Sequence, residues 1–144
     1  MADLDRAVEI AKEAHAGQLD KGGKPYIDHC LRVMGLCRQR DERIVAVLHD
    51  VIEDSQWTLD DLRREGFSEI VVEAVGALTR RDNEPYSDFI ERVGRNPVAA
   101  IVKIADLTDN MDLSRLSSVS ETDHQRNSKY ARALGRLASL APIA

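Results

Sequence analysis

The segment Ile44-Val-Ala-Val-Leu-His-Asp-Val-Ile-Glu-Asp54 concentrates residue types that hold cations and move protons. Read as one helix turning about 100° per residue, it gathers Ile44, Val45, Val47, Leu48, Val51 and Ile52 on one face. The other face gathers His49, Asp50, Glu53 and Asp54 around Ala46. His49 and Glu53 stand one turn apart, as do Asp50 and Asp54, so the four groups converge. An amphipathic helix with a solvated polar face gives the same pattern. Two features favour a cation instead. Three carboxylates crowd a helix C-terminus, where the macrodipole disfavours each by about 0.3–1 kcal/mol. No lysine or arginine lies between Val45 and Leu62 to neutralise them. A bound divalent metal would supply the missing charge.

Asp106 shares a helical stripe with Ala99, Val102 and Leu113, and so points toward apolar surroundings. A buried ionised carboxylate must be paired or metal-bound; Lys103 or a nearby backbone group is the competing partner. Asn110, one turn on, reaches the same cavity or stays an exposed polar residue. The chain has four histidines. His29 follows the Gly/Pro-rich loop Gly17–Asp28 at a helix start, a place for a cap, a packed ring or a ligand. His15 closes the first helix, where partial positive charge is favourable, and a supporting place behind the ligands is open to it. His124 reads as a surface residue.

Helices must carry these groups, because the 3.6-residue period dominates and strand alternation is nearly absent. Asp3 caps a helix to about Ala16, ended by Gly17, and Gly22, Gly23 and Pro25 mark a loop to Asp28. A second helix runs from about His29 to Arg40, and Asp41 caps a third from Glu42 to Asp54. Thr58 and Asp61 form a capping pair for a helix to Glu65, and Ser68 opens another to Leu78. A polar turn at Arg80–Pro85 precedes a short helix, Tyr86–Val93. Asn96-Pro97 starts a helix to about Leu113, the serine-rich Ser114–Glu121 is loop, and Thr122-Asp123 opens a last helix to Leu140. The expectation is an all-α bundle forming a single domain over residues 1–144.

Composition narrows the function further. With 144 residues, 43% of them hydrophobic, the chain can bury a core without staples. Its 20 basic and 25 acidic residues leave a net charge of −5, with no basic surplus for a nucleic-acid backbone. No apolar run approaches the ~18 residues of a membrane span. Cys30 and Cys37, two helical turns apart, lie roughly 10 Å from each other, beyond disulfide reach. They read as buried small hydrophobes in a reducing compartment. The acidic start Met1-Ala-Asp-Leu-Asp5 is unlike a secretory signal, so a cytoplasmic protein is expected. Oligomeric state is left open.

Four ordered stretches resemble a known family: Ala14-His-Ala-Gly-Gln18, Lys24-Pro-Tyr-Ile-Asp-His29, Leu48-His-Asp-Val-Ile-Glu-Asp54 and Val102-Lys-Ile-Ala-Asp106, followed by Asn110. They are similar to the HD-domain metal-dependent phosphohydrolases. In detail they are closest to the hydrolase domain of RelA/SpoT-type alarmone enzymes and their stand-alone small hydrolases. The resemblance implies an all-α HD-domain bundle holding one divalent ion, typically manganese, on His29, His49, Asp50 and Asp106. Ligand type alone leaves iron, zinc, nickel and cobalt open. It implies Glu53 and Asp54 as the catalytic pair that positions and deprotonates the attacking water, and Lys21, Tyr26 and Asn110 on the substrate side. The implied reaction removes the 3′-pyrophosphate of guanosine tetra- or pentaphosphate, a small phosphorylated nucleotide, with no nucleic acid or membrane as partner. The synthetase half of the long bifunctional enzymes does not fit in 144 residues.

Three positions depart from that pattern. Asp20 stands where the family carries the arginine that packs on guanine, Leu107 where it carries another arginine, and Asp112 at a commonly basic place. Arg80 and Arg81 are candidate compensating phosphate donors. The alternatives are an HD phosphohydrolase for another nucleoside phosphate or pyrophosphate, and a non-catalytic nucleotide- or metal-binding module.

Overall fold

The computed structural model describes residues 2–140. In chain order its helices are α1 (Leu4–Ala14), α2 (Tyr26–Leu36), α3 (Arg40–Leu48), α4 (Val51–Asp54), α5 (Leu59–Glu65), α6 (Glu69–Leu78), α7 (Tyr86–Gly94), α8 (Pro97–Asn110) and α9 (Glu121–Leu140). Among the described residues there is no strand, only an isolated bridge between Leu19 and Pro25. The all-α expectation holds.

Helix starts follow local chemistry. Asp3 accepts from the Arg6 N–H, Ser68 from Val71 and Asn96 from Ala99, with Pro97 at the first helical position. Thr58 and Asp61 cap reciprocally, as their spacing predicts. Each such cap is worth about 1 kcal/mol.

Helix α3 is the axis of the molecule. It packs against α1, α2, α6 and α8, and Ile44 to Leu48 are all buried, Ala46 included. The amphipathic pattern therefore understates its burial, because α8 and α2 cover the side assigned to solvent. The predicted single helix Glu42–Asp54 is in fact two. It starts earlier, at Arg40, with the Glu42 carboxylate accepting from the Gln39 N–H, and it breaks at His49–Asp50 before α4. The Ala46 carbonyl accepts from His49 Nδ1 at 2.5 Å, so the side chain takes an acceptor that an unbroken helix gives to its own backbone.

Other boundaries shift for comparable reasons. Helix α2 spans Tyr26–Leu36 rather than His29–Arg40. The loop before it folds back on itself: Asp20 N–H donates to the Lys24 carbonyl at 2.7 Å, and Asp20 Oδ1 accepts from the N–H groups of Gly22 and Lys24, both at 2.9 Å. Gly17, at φ +80°, supplies the left-handed turn that leaves α1. Helix α8 ends at Asn110 rather than Leu113, where the Arg115 guanidinium donates to the Asp109 carbonyl at 2.9 Å. Helix α9 begins at Glu121, with the Ser120 hydroxyl accepting from Asp123 N–H at 3.2 Å. Cys30 and Cys37 are free and buried. Among the described residues no helix is long and apolar enough to cross a membrane.

Leu107 is wholly buried in the α8 core, so its departure from the family arginine is a packing choice. Leu107→Ala should lower the unfolding free energy by about 2–5 kcal/mol, read as a lower urea midpoint at unchanged slope.

Candidate metal centre

Two imidazoles are pinned from behind. His29, in the first turn of α2, directs Nδ1 to Asp109 Oδ2 of α8 at 2.6 Å. His49 directs Nδ1 to the Ala46 carbonyl. A carbonyl or an ionised carboxylate only accepts, so each Nδ1 carries a proton and each ring presents its Nε2 forward. Both Nε2 atoms face the same carboxylate oxygen, Asp106 Oδ1, at 2.9 Å from His29 and 3.2 Å from His49. His49 Nε2 also lies 3.0 Å from Asp50 Oδ2, yet it is buried with no aligned hydrogen-bond partner.

An Nε2 that faces a carboxylate oxygen calls for positive charge at the contact, either a proton on the ring or a cation between them. Burial opposes a charged His49, but Asp50 and Asp106 outweigh it and raise its pKa well above the ordinary value. Burial likewise pushes Asp106 up, while Lys103 and His49 outweigh that and hold it well below the carboxylate range. The pocket is built for a cation. His29, His49 and Asp50 offer ligand atoms all within 4.8 Å of one another, a group that could hold a metal ion, and Asp106 Oδ1 reaches both imidazoles. The nitrogen and oxygen donors suit a divalent transition ion.

The pairing weighed for Asp106 is also present, on its other oxygen: Lys103 Nζ donates to Oδ2 at 2.9 Å. Asn110 Nδ2 donates to Oδ1 at 3.2 Å. Asp106 is 4% exposed, as its stripe predicts.

Asp109 is the residue that sequence reading missed. Its carboxylate accepts from His29 and from Arg32 Nε at 2.9 Å. Burial raises it, and those two partners outweigh burial and hold it at about 2. The available signal was the three-residue spacing after Asp106 on a helix already assigned to the site. A carboxylate behind a ligating histidine fixes its tautomer and raises its basicity.

The carboxylates after His49-Asp50 do not share one face, because Glu53 and Asp54 are neighbours on α4 and point about 100° apart. Glu53 turns to the α6–α7 loop and accepts from the Arg80 N–H at 2.7 Å; desolvation raises its pKa and that contact lowers it. Asp54 turns to the α1–α2 loop and accepts from Gln18 Nε2 at 3.1 Å. Gln18 in turn accepts from His15 Nδ1 at 2.8 Å, so buried His15 orients the amide that holds Asp54. His124 is exposed.

Lys21, Tyr26 and Asn110 all line one cleft of about 300 Å³, together with Arg32, Arg126 and Tyr130, and His29 reaches its wall. The Tyr26 hydroxyl donates to Asp50 Oδ2, and burial with Asp50 raises its pKa, keeping it a donor. Asp20 spends its carboxylate on the loop backbone, and Asp112 accepts from Ser114 N–H and Arg115. Arg80 Nε donates to the Glu84 carbonyl at 2.9 Å, and Arg81 is exposed.

The family model described as "HD domain" matches residues 7–141. The chain is 33% identical over 124 residues to a probable GTP pyrophosphokinase of Mycobacterium leprae, covering 78% of this chain and 16% of that protein. It is 32% identical over 117 residues to a guanosine-3′,5′-bis(diphosphate) 3′-pyrophosphohydrolase of Haemophilus influenzae, covering 71% and 17%. The chain thus spans about one sixth of the length of the curated relatives it matches. A solved structure described as a metazoan ortholog of SpoT that hydrolyses ppGpp superposes with a TM-score of 0.76 at 20% identity, covering 95% of this chain and 85% of that one. That likeness is one of fold.

Asp109→Asn removes the charge behind His29 while keeping the shape. It should weaken manganese binding about 10–100-fold, measured by calorimetry on protein stripped of metal, with the helical circular dichroism unchanged.

Proposed function

This chain belongs to the HD domain family, and from that premise we propose that it is a metal-dependent phosphohydrolase acting on a small phosphorylated nucleotide. The leading substrate is guanosine tetra- or pentaphosphate, from which it releases the 3′-pyrophosphate and leaves GDP or GTP. We take residues 1–144 as a single HD-type domain working in the cytoplasm, without nucleic acid or membrane as partner.

One observation carries the reading: the buried Nε2 atoms of His29 and His49 and the carboxylates of Asp50 and Asp106 face one another in one small pocket, with His49 Nε2 left without an aligned hydrogen-bond partner. In this reading His29, His49, Asp50 and Asp106 hold one divalent ion, manganese first. When bound, such an ion acidifies water and draws charge from a phosphoryl oxygen. Glu53 accepts the proton of the attacking water, and general-base help of this kind is worth about 10²–10⁴ in rate. Asp54, oriented through Gln18, holds that water in line. Lys21 pairs with phosphate, the Tyr26 ring bounds the nucleoside, and the Asn110 amide donates beside the ion. The pair Glu53 and Asp54 is what a mere nucleotide sensor has no use for.

A second substrate reading is favoured by Asp20. Its carboxylate is tied to Gly22 and Lys24 and offers no cation to a guanine face. Another nucleoside phosphate or pyrophosphate then fits the same centre.

A nucleotide panel tested with manganese and other divalent metals, read by product mass, decides the substrate. Pyrophosphate with GDP or GTP supports the alarmone reading, and another product moves the assignment to the second reading. No phosphate or pyrophosphate release with any metal overturns the enzyme. His49→Ala or Asp50→Ala should lose both metal and turnover. Glu53→Ala should keep metal and lose about 10²–10⁴ in kcat; full activity there refutes its role. Gln18→Leu should lower kcat by about tenfold at unchanged KM and metal content, the signature of a lost transition-state contact.

A further inference from the structure

Beside the metal centre, on a different set of residues from the cleft, four cationic side chains gather around one pair of aromatic rings: Arg80, Arg92, Lys103 and Lys129. Tyr86 and Phe89 lie on one face of α7, with ring centroids 6.1 Å apart. Lys129 of α9 places its ammonium 3.9 Å from the Tyr86 centroid, and the Arg80 guanidinium lies 5.6 Å from the same ring. Lys103 of α8 stands 5.3 Å from the Phe89 centroid. Four separate parts of the chain bring like charges together, an arrangement that costs free energy unless anions repay it.

Among the described residues two of the four have a carboxylate partner, Lys103 with Asp106 and Arg92 with Glu84. Arg80 spends its Nε on the Glu84 carbonyl, leaving the fork of its guanidinium without an acid, and Lys129 forms no ion pair. Burial, followed by Arg80, Lys103 and Arg126, lowers the Lys129 pKa, as expected for an ammonium held against its own kind. The Tyr86 hydroxyl is buried with no hydrogen-bond partner. The cluster also touches the chemistry directly: the Arg80 N–H binds Glu53, and Lys103 binds Asp106.

We propose that Arg80, Lys103 and Lys129, with the Tyr86 hydroxyl, form the seat of a pyrophosphoryl group, on residues distinct from those that line the cleft for the rest of the nucleotide. Two unpaired cations and a third shared with Asp106 suit a compact polyanion better than a single neutral group. Guanidinium and ammonium donors bind phosphate oxygens through charge-assisted hydrogen bonds. This site rests on the phosphohydrolase reading, and it names where the leaving pyrophosphate sits. The competing account is that Lys129 merely packs on Tyr86 as a cation–π contact.

The test titrates inorganic pyrophosphate by calorimetry into manganese-loaded protein freed of excess ion. Lys129→Gln and Arg80→Gln should each weaken binding about tenfold, roughly 1.4 kcal/mol, and the double variant more. Lys129→Arg should restore binding to near the wild-type value. Lys12→Gln, the same charge loss on exposed α1, should leave it unchanged. If Lys129→Gln and Arg80→Gln bind like Lys12→Gln, the seat is refuted and Lys129 is a packing residue. Should Lys129→Gln fail to fold, Arg80→Gln and Lys129→Arg still decide. Pyrophosphate held by this cluster in a protein that hydrolyses no nucleotide keeps the site and removes the enzyme. Hydrolysis with unchanged pyrophosphate affinity and KM in both variants keeps the enzyme and removes the site.

Discussion

The Asp106 carboxylate organises the molecule's chemistry because two imidazoles meet on one of its oxygens while Lys103 holds the other. Neither ring can turn away. Asp109 holds the proton of one and the Ala46 carbonyl holds the proton of the other. An imidazole so constrained meets the carboxylate with Nε2 alone, and burial removes the water that would otherwise soften the contact. Positive charge is therefore a structural requirement of this pocket. The helices around it serve to keep four side chains from three distant stretches from relaxing apart. The most buried helix, α3, ends at the point where its last ring must face inward.

Much of this was legible in the residues. Capping pairs such as Thr58 with Asp61, and the Asn96-Pro97 start, are local chemistry and are found where local rules put them. Asp106 was legible because an acid on an apolar stripe demands an explanation, and the density of acids after His49 without a nearby base posed the same demand. The break at His49–Asp50 was not legible, because periodicity assumes that backbone acceptors belong to the backbone. The His49 side chain overrides that by taking the Ala46 carbonyl.

Other misses share a cause: partners far away in sequence. Asp109 matters through His29, 80 residues earlier, and a single chain carries no mark of that contact. Helix α2 begins at Tyr26 because the preceding loop is closed by Asp20, so a residue first noticed as an unsuitable stacking partner turns out to shape the wall of the cleft. Leu107, noticed for the arginine it replaces, faces the core. In both places a departure from a family pattern is explained by packing or backbone bonding that this chain makes for itself.

The Tyr26 hydroxyl bond to Asp50 joins two things usually treated separately. In the proposed reading one end of that contact belongs to the ion's cage and the other to the wall of the nucleotide cleft, where the His15 ring lies 5.1 Å from Tyr26. An ion of different radius or charge that draws Asp50 differently thus reshapes the entrance. By thermodynamic reciprocity, a nucleotide that prefers one entrance shape selects among ions to the same degree. Metal preference and base preference in this protein are then two readings of one equilibrium.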